Sequence, residues 1–561
     1  MSESSKKQTF LHGAALLAIA TAVVKIIGAL YKIPLKMIIG DQGYGYFTTA
    51  YDIYSVLLMI STAGLPIAMS RMISQANSLG KYNQVRQVYK TSRTIFLALG
   101  IFSTALMVFG CRWLANILGQ PDAWASILCL GPCALFMGFM SAYRGFFQGQ
   151  ENMRPTSRSQ MVEAASKLVV GLLVAYGVMK ATSSVSLAAG GAILGVTFSC
   201  LVSTIFLMAI FRPAYRELPA SDDTGRSFGT TAKELLAIAV PITIGSAGLQ
   251  LLTVVETGLY MDRLVGLFQA GHFTPLASML QAEILEKTQG IVSEDLYSQV
   301  ASSIKGIYNF AQTVFNMPCS FIIPITASVL PAITAQLTLK KDEAVRGTEE
   351  SAARITGLLS LPCCIGLFVL AGPVMGLLGG YAGLRLELAR QLMAMLAICI
   401  FLYAIIQYTN VVLQSHGLAH IPVINMLAAG VIKLVVVYLL TGNPALGILG
   451  VPIGTILCYA AIAAMNLISI SVKIPQKPRL LQNLLRPALP ALLMGGIVFL
   501  CHQGLLMLLG SDASNLILCA GPIAVGAVVY LVLVVIFRAI RKEDLELIPK
   551  GNKVAKLLRL K

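Results

Sequence analysis

A chain of 561 residues would ordinarily suggest three or four soluble domains, but only 12% of this one is charged while 56% is apolar, and its mean hydropathy is +0.77. Soluble proteins carry roughly 25% charged residues, so this composition excludes a water-soluble enzyme and points to a polytopic membrane protein. The net charge of +17, from 42 basic and 25 acidic residues, raises nucleic-acid binding only until the basic residues are placed along the chain.

A bilayer core takes about 20 apolar residues per helix. On that ruler the chain reads as an all-α membrane protein with fourteen spans, near 12–36, 44–70, 94–118, 122–147, 161–180, 187–211, 234–261, 304–333, 354–378, 388–414, 422–441, 448–472, 488–509 and 515–537. The first follows the short basic start (Lys6, Lys7) without a clear small-residue cleavage site, so it reads as a span rather than a cleaved signal. Most of the 11 cysteines lie inside apolar runs, among them Cys129, Cys133, Cys363 and Cys364, where a thiol acts as a small hydrophobe.

Alternate connecting segments divide the basic residues unequally. One side holds 30, the other holds 7 (Lys305 counted among them), and 5 lie within spans. The positive-inside rule then places both termini in the cytoplasm of a protein of the cytoplasmic membrane. The charge reads as topology and contact with anionic headgroups, and no nucleic-acid partner is expected. The tail KGNKVAKLLRLK reads as a basic cytoplasmic segment, and the outward connection 262–303 as a helical extension.

Landmarks recur at one offset. Pro66 and Pro331 are 265 residues apart; Gln148 and Gln414, and Lys167 and Lys433, are each 266 apart, with Pro155 and Pro422 in the matching intervals. Two six-helix lobes in parallel repeat follow, with two further helices. The expected divisions are 1–211, a cytoplasmic linker 212–233, 234–472, the added pair 473–537 and the tail 538–561. Parallel repeats typify transporters that bind cargo between two halves.

An ionisable side chain at mid-membrane costs roughly 2.5–3.5 kcal/mol on the milder insertion scale, so it normally faces water or a partner. Lys25 lies near mid-depth of the first span, with Lys32 about two turns on; Lys36 is close enough to the interface to snorkel. Asp52 in the second span stands at a depth comparable with Lys32, as an ion-pair partner or part of a gate. Glu256, deep in the seventh span, is placed to titrate or to coordinate a coupling cation, or else to sit at the interface. Glu163 and Lys167 have the spacing and order of a helical ion pair. Lys433, at the repeat position of Lys167, is a further cavity cation. His416 and His420 share a short loop that is a poor metal site, and no motif for ATP hydrolysis, covalent catalysis or metal binding is found.

A cavity bearing Lys25, Lys32 and Lys433 suits an anionic cargo, and a lipid-linked diphosphate in particular. Its headgroup needs a wet cationic path while its tail stays in lipid. Moving two negative charges outward gains about 4.6 kcal/mol per 100 mV of inside-negative potential if the carrier brings no compensating charge.

The segment KIIGALYKIPLKMIIGDQGYGYFTTAYDIYSVLLMISTAGLPIAMSRMISQ (25–75) resembles the opening of the polysaccharide-export branch of the MOP superfamily, and RGFFQGQENMRPTSRSQMVE (144–163) its loop after the fourth span. The resemblance extends over essentially the whole chain and lies with the stage V sporulation protein B type and the Gram-positive MurJ-type lipid II flippases. It implies two lobes around a cationic cavity, alternating access, and outward translocation of undecaprenyl-diphosphate-linked sugars, lipid II foremost. In that pattern the first helix carries basic-x-x-Gly-x-x-basic. Lys25 and Gly28 match it, but Tyr31 fills the next slot and Lys32 falls one place late. Lysine also replaces the family's arginine, keeping the charge without the bidentate fork. The second span lacks an expected arginine, and Gln312 or Thr313 stands where the eighth span would carry one, so a less basic cavity is expected. Glu256 occupies an acidic position of Gram-positive relatives, implying cation coupling.

No cofactor is expected; Na+, H+ or the membrane potential is the coupling agent. The bilayer and cell-wall synthesis enzymes are the other partners. The alternatives are a MATE-like antiporter of small organic cations, in whose cavity acidic residues would dominate, and a scaffold or polymerase of cell-envelope synthesis.

Overall fold

The computed structural model describes residues 3–62, 64–287, 295–475, 478–510, 515–540 and 544, with some side chains inside helices excepted, Lys25 among them. Every regular element among these residues is helical. In chain order they are α1 (Glu3–Thr62), α2 (Gly64–Ser78), α3 (Tyr82–Phe109), α4 (Cys111–Ile117), α5 (Trp124–Gly149), α6 (Arg154–Thr182), α7 (Val185–Arg216), α8 (Phe228–Gln269) and α9 (Pro275–Lys287). There follow α10 (Leu296–Thr338), α11 (Asp342–Val369), α12 (Ala371–Gly379), α13 (Gly383–Ser415), α14 (His420–Thr441), α15 (Gly450–Lys473), α16 (Leu480–Leu485), α17 (Ala488–Leu509) and α18 (Asn515–Ile536).

Among the described residues ten helices are long and apolar enough to cross a membrane: α3, α5, α6, α7, α11, α13, α14, α15, the α16–α17 stretch and α18. The other four expected spans fall on α1 with α2, on α8 and on α10, whose side chains are only partly described. At 1.5 Å per residue, the 42 residues of α8 and the 43 of α10 reach about twice the thickness of a hydrocarbon core. The outward connection is helical where described, with α9 covering most of ASMLQAEILEKTQ. The basic tail beyond 544 and the side chain of Pro331 lie outside the described residues.

The chain divides into two compact units, residues 1–309 and 310–561, and the division falls within α10. In the first, α5, α6 and α7 pack together and α1 lies against α6, α7 and α8. Small residues allow the approach: a Cβ on Gly195 of α7 would run into the backbone of Gly171 on α6, and one on Gly191 would meet Val174 and Val178. Close backbone approach over glycine is how helices associate where lipid removes the hydrophobic drive. In the second unit α13 packs on α11 and α15, α14 on α15, and α17 on α11 and α18.

Two pairs of helix ends share a left-handed cap. α2 ends at Gly80 (φ 68°), whose N–H bonds Asn77 O at 3.1 Å while Lys81 N bonds Ala76 O at 2.9 Å. α10 ends the same way 260 residues later at Lys340 (φ 52°), with Lys340 N to Leu337 O at 3.0 Å and Lys341 N to Gln336 O at 3.1 Å. Glu151 (φ 61°) after α5 and Gly417 (φ 75°) after α13 form a second such pair, 266 residues apart, bonding back to Gln148 O and Gln414 O at 3.0 Å each. These left-handed caps satisfy the last helical carbonyls, and the second pair repeats the Gln148/Gln414 offset.

Candidate functional site

The site is built on the bend of α1. Gly40 (φ 68°, ψ −175°) breaks the helix in a conformation that favours glycine, and Asp41 begins the second limb. The limb carries a polar stripe, Gln42, Tyr46, Thr49 and Asp52, at steps of four, three and three residues, hence one helical face. α10 approaches that face closely. A Cβ on Gly45 would collide with Ser302 O, and one on Gly306 with the backbone of Asp41.

That closeness brings Lys305 against the stripe. Its fully buried ammonium donates to Thr49 Oγ1 at 2.6 Å and to Asp52 Oδ2 at 3.4 Å. Asp52 Oδ2 also accepts from Thr257 of α8 at 3.2 Å. Thr49 Oγ1 lies 2.9 Å from Gly45 O and 2.6 Å from Gln120 Oε1. Further along the stripe, Tyr46 donates to Asp122 Oδ2 at 3.1 Å, and Gln299 Nε2 donates to the same oxygen at 3.0 Å. Asn309 Nδ2 donates to Thr48 Oγ1 at 2.5 Å. α1, α8 and the first turns of α10 are thus joined by a continuous polar seam.

Two expectations change here. The salt-bridge partner of Asp52 is Lys305, not Lys32, because Lys305 comes from a helix in backbone contact with the limb that bears Asp52. Lys305 itself is not an outer-loop residue: it is buried within α10, two turns before Thr313. Its one signal in sequence was the small-residue run Ser302–Ser303 and Gly306 around a lysine at a span edge. Asp122 and Gln120, in a short turn before α5, were equally unmarked.

Lys32 lies farther from Asp52, half-buried, with Asp52 and Lys167 as its charged neighbours. Lys167 does not pair with Glu163. Glu163 Oε2 is taken at 3.0 Å by Arg144, which reaches it from α5 and also donates to Ser159 at 3.0 Å. The ammonium of Lys167 instead lies 5.8 Å from the ring centre of Tyr31, a cation–π distance. Tyr31 is fixed by its hydroxyl, which donates to Ala192 O at 3.1 Å, and its ring fills the space left by Gly171. Neither Lys32 nor Lys167 has a salt bridge among the described residues. Lys36 does not snorkel: it pairs with Asp41 at 3.4 Å across the Gly40 bend, and both are buried.

Glu256 is buried on α8 beside Thr257. Lys433 is half-buried in the second unit, its stem near Gly454 of α15. The side chain of Lys25 lies outside the described residues. His416 Nε2 meets Glu349 Oε1 at 2.8 Å, and no group of three metal-ligating side chains occurs among the described residues. An apolar cleft of about 320 Å³ in the second unit is lined by Pro318, Pro362, Leu370, Met494, Val498 and Gly526 among others.

Comparisons with known proteins agree with the helical architecture. The family model for polysaccharide biosynthesis proteins matches residues 10–336, and that for the lipid II flippase MurJ matches residues 279–514. Stage V sporulation protein B of Bacillus subtilis (strain 168) is 24% identical over 97% of this chain and 98% of its own. A solved lipid II flippase MurJ in an inward closed conformation superposes with TM-score 0.64 at 14% identity, covering 93% of this chain and 98% of that one. An inward-facing multidrug-resistance MATE transporter of the MOP superfamily gives 0.60 at 15% identity, covering 81% and 98%. The first model spans more than half of the sequence and the fold agrees: this is a multi-span membrane protein of the polysaccharide biosynthesis protein family.

Proposed function

We propose that the protein is a flippase carrying undecaprenyl-diphosphate-linked cell-wall or polysaccharide precursors, lipid II foremost, outward across the cytoplasmic membrane by alternating access, without catalysing a covalent step. The observation that carries this reading is the juxtaposition of Lys32 and Lys167 around Tyr31, two membrane-embedded cations without a salt bridge among the described residues. Two like charges in such a place are costly unless water or an anion reaches them. A diphosphate supplies charge of the right sign and enough oxygens for both ammonium groups. An antiporter of organic cations would need the reverse: Asp52, the acidic neighbour of Lys32, is engaged by Lys305.

The Asp52–Lys305 contact acts as the outward latch. The pair and the Thr257 bond tie α1 to α8 and α10 within the first unit, and their rupture is the step that opens the outer side on this reading. The apolar cleft of the second unit suits a polyprenyl tail. Glu256 is the candidate for coupling to Na+ or H+, with the membrane potential as the other driving force, and both termini are cytoplasmic.

The test is flipping of a fluorescent polyprenyl-diphosphate sugar in proteoliposomes. Lys32→Glu and Lys167→Glu should each lower the rate by about tenfold or more, the value of a charge-assisted hydrogen bond, while the protein stays folded. Parental rates in both would overturn the reading. Glu256→Gln should change the dependence on Na+ or pH, and an unchanged profile removes Glu256 from coupling. Depletion in cells, followed by identification of the lipid-linked intermediate that accumulates, fixes the cargo.

A further inference from the structure

In the first unit α5 and α7 pack side by side, and three cross-contacts fix their register. Thr197 Oγ1 of α7 donates to Cys129 O of α5 at 2.7 Å, and Thr204 Oγ1 donates to Phe136 O at 3.3 Å. Between these two bonds Cys200 Sγ lies 3.0 Å from Cys133 Sγ. Thr197, Cys200 and Thr204 follow at steps of three and four residues, and Cys129, Cys133 and Phe136 at four and three, so each set occupies one helical face. Gly190 keeps the helices close, since a Cβ there would come within 3.3 Å of the Ala125 backbone. Both thiols are buried, Cys133 at 0% and Cys200 at 1% exposure. The hydroxyl of Tyr54, on the second limb of α1, lies 3.4 Å from Cys133 Sγ.

Thiols that serve only as small hydrophobes need no such alignment between two flanking hydrogen bonds. We infer that Cys133 and Cys200 form an oxidation site, a dithiol that closes to a disulfide with a lipid-soluble organic hydroperoxide as oxidant. Burial within apolar helices excludes charged or bulky oxidants, whereas a hydroperoxide partitions into the same medium. One sulfur attacks the terminal oxygen of the hydroperoxide, the O–O bond breaks, and the alcohol leaves with the first thiol's proton. The second sulfur then attacks the sulfenic acid: the S–S bond forms, the S–O bond breaks, and water leaves with the second proton. The peroxide gains the two electrons that the sulfurs give up. The second step is intramolecular between aligned groups and therefore fast, so the sulfenic acid is captured before it climbs to sulfinic acid. The disulfide closes the chain around α6, which carries Lys167, and ties α5 to α7 beside the limb that bears the polar seam.

The test uses the full-length chain, reduced and then treated with cumene hydroperoxide in liposomes. After denaturation a maleimide blocks the remaining thiols, and mass spectrometry of fragments reads each position. Cys133 and Cys200 should be lost together into one linked fragment, two hydrogen masses lighter than its reduced parts and restored by a phosphine. Linked product should exceed sulfinic acid at these positions by about tenfold or more, while Cys129, one turn away on α5, should give unlinked products only. In Cys200→Ser the link should vanish and Cys133 should proceed to sulfinic acid. Sulfinic acid in excess of the link in the parent overturns the inference, as does survival of both thiols after Cys129 has been consumed. Thr197→Val with Thr204→Val loosens the register and should lower the linked fraction; a folded variant that links as fully as the parent overturns the claim that the register makes the site.

Discussion

The Lys305–Asp52 and Arg354–Asp544 pairs both join elements far apart in sequence, yet they are built differently. Lys305 is fully buried, but Asp52 keeps 22% of its side chain exposed and the charges meet at one contact of 3.4 Å. Hydroxyls of Thr49 and Thr257 complete the set. Arg354 and Asp544 are 2% and 0% exposed, joined by a planar fork and backed by Asn483 and Ser351. A lysine is a point charge that can shed its proton when isolated; an arginine stays charged and holds its partner through a planar fork. The first pair is suited to being broken in a cycle, and the second to holding.

Asp544→Ala should have the largest effect on stability, because it strands a buried guanidinium: a loss of about 3–5 kcal/mol, read as a lower denaturation midpoint in detergent. A loss under about 1 kcal/mol would make that pair no stronger than a surface one. Asp52→Asn should cost less, about 1–3 kcal/mol, while shifting the protein toward outward-open forms, read as faster labelling of a cysteine introduced at Thr257 from the outer side. Unchanged labelling would deny the pair its latch role.

Lys340→Gly should sharpen the repeat comparison, relieving a left-handed residue and stabilising by up to about 1 kcal/mol, whereas Gly80→Ala should destabilise. The smallest effect concerns the turn after α2. α3 begins with Lys81, which offers no side-chain cap, and Asp223 of the linker provides it from afar, accepting from the Asn83 and Gln84 amides at 3.0 Å each. Desolvation opposes the charge, but hydrogen bonds from Ser221 and those two amides hold the Asp223 carboxyl below the usual carboxylate range. Its contribution is therefore complete above the ordinary carboxylate value and lost as pH falls through the lowered folded value. Proteolysis of the linker should quicken below about pH 4 in the parent and be quick at every pH in Asp223→Asn. By contrast α11 carries Asp342 and Glu343 in its own first turn, so its start needs no distant carboxylate.

Much of the fold was legible because lipid imposes length and hydropathy on each crossing. The stripe Gln42–Tyr46–Thr49–Asp52 was readable in principle, since its spacing alone puts it on one face. Its partners were not: Lys305 stood at a span edge and resembled a loop residue, and Asp122 sat in a turn. Glu163 had two basic residues in reach of the rules, and the helical neighbour Lys167 lost to Arg144 from another helix.

By itself, the sequence determined a helical membrane protein, because hydropathy and the cost of burying polar groups act along the chain. Which charges meet was decided only by the tertiary structure. Pairing depends on where two helices lacking Cβ atoms at their crossing, as at Gly45 and Gly306 or at Gly357, come within hydrogen-bond reach, and no local spacing encodes that distance.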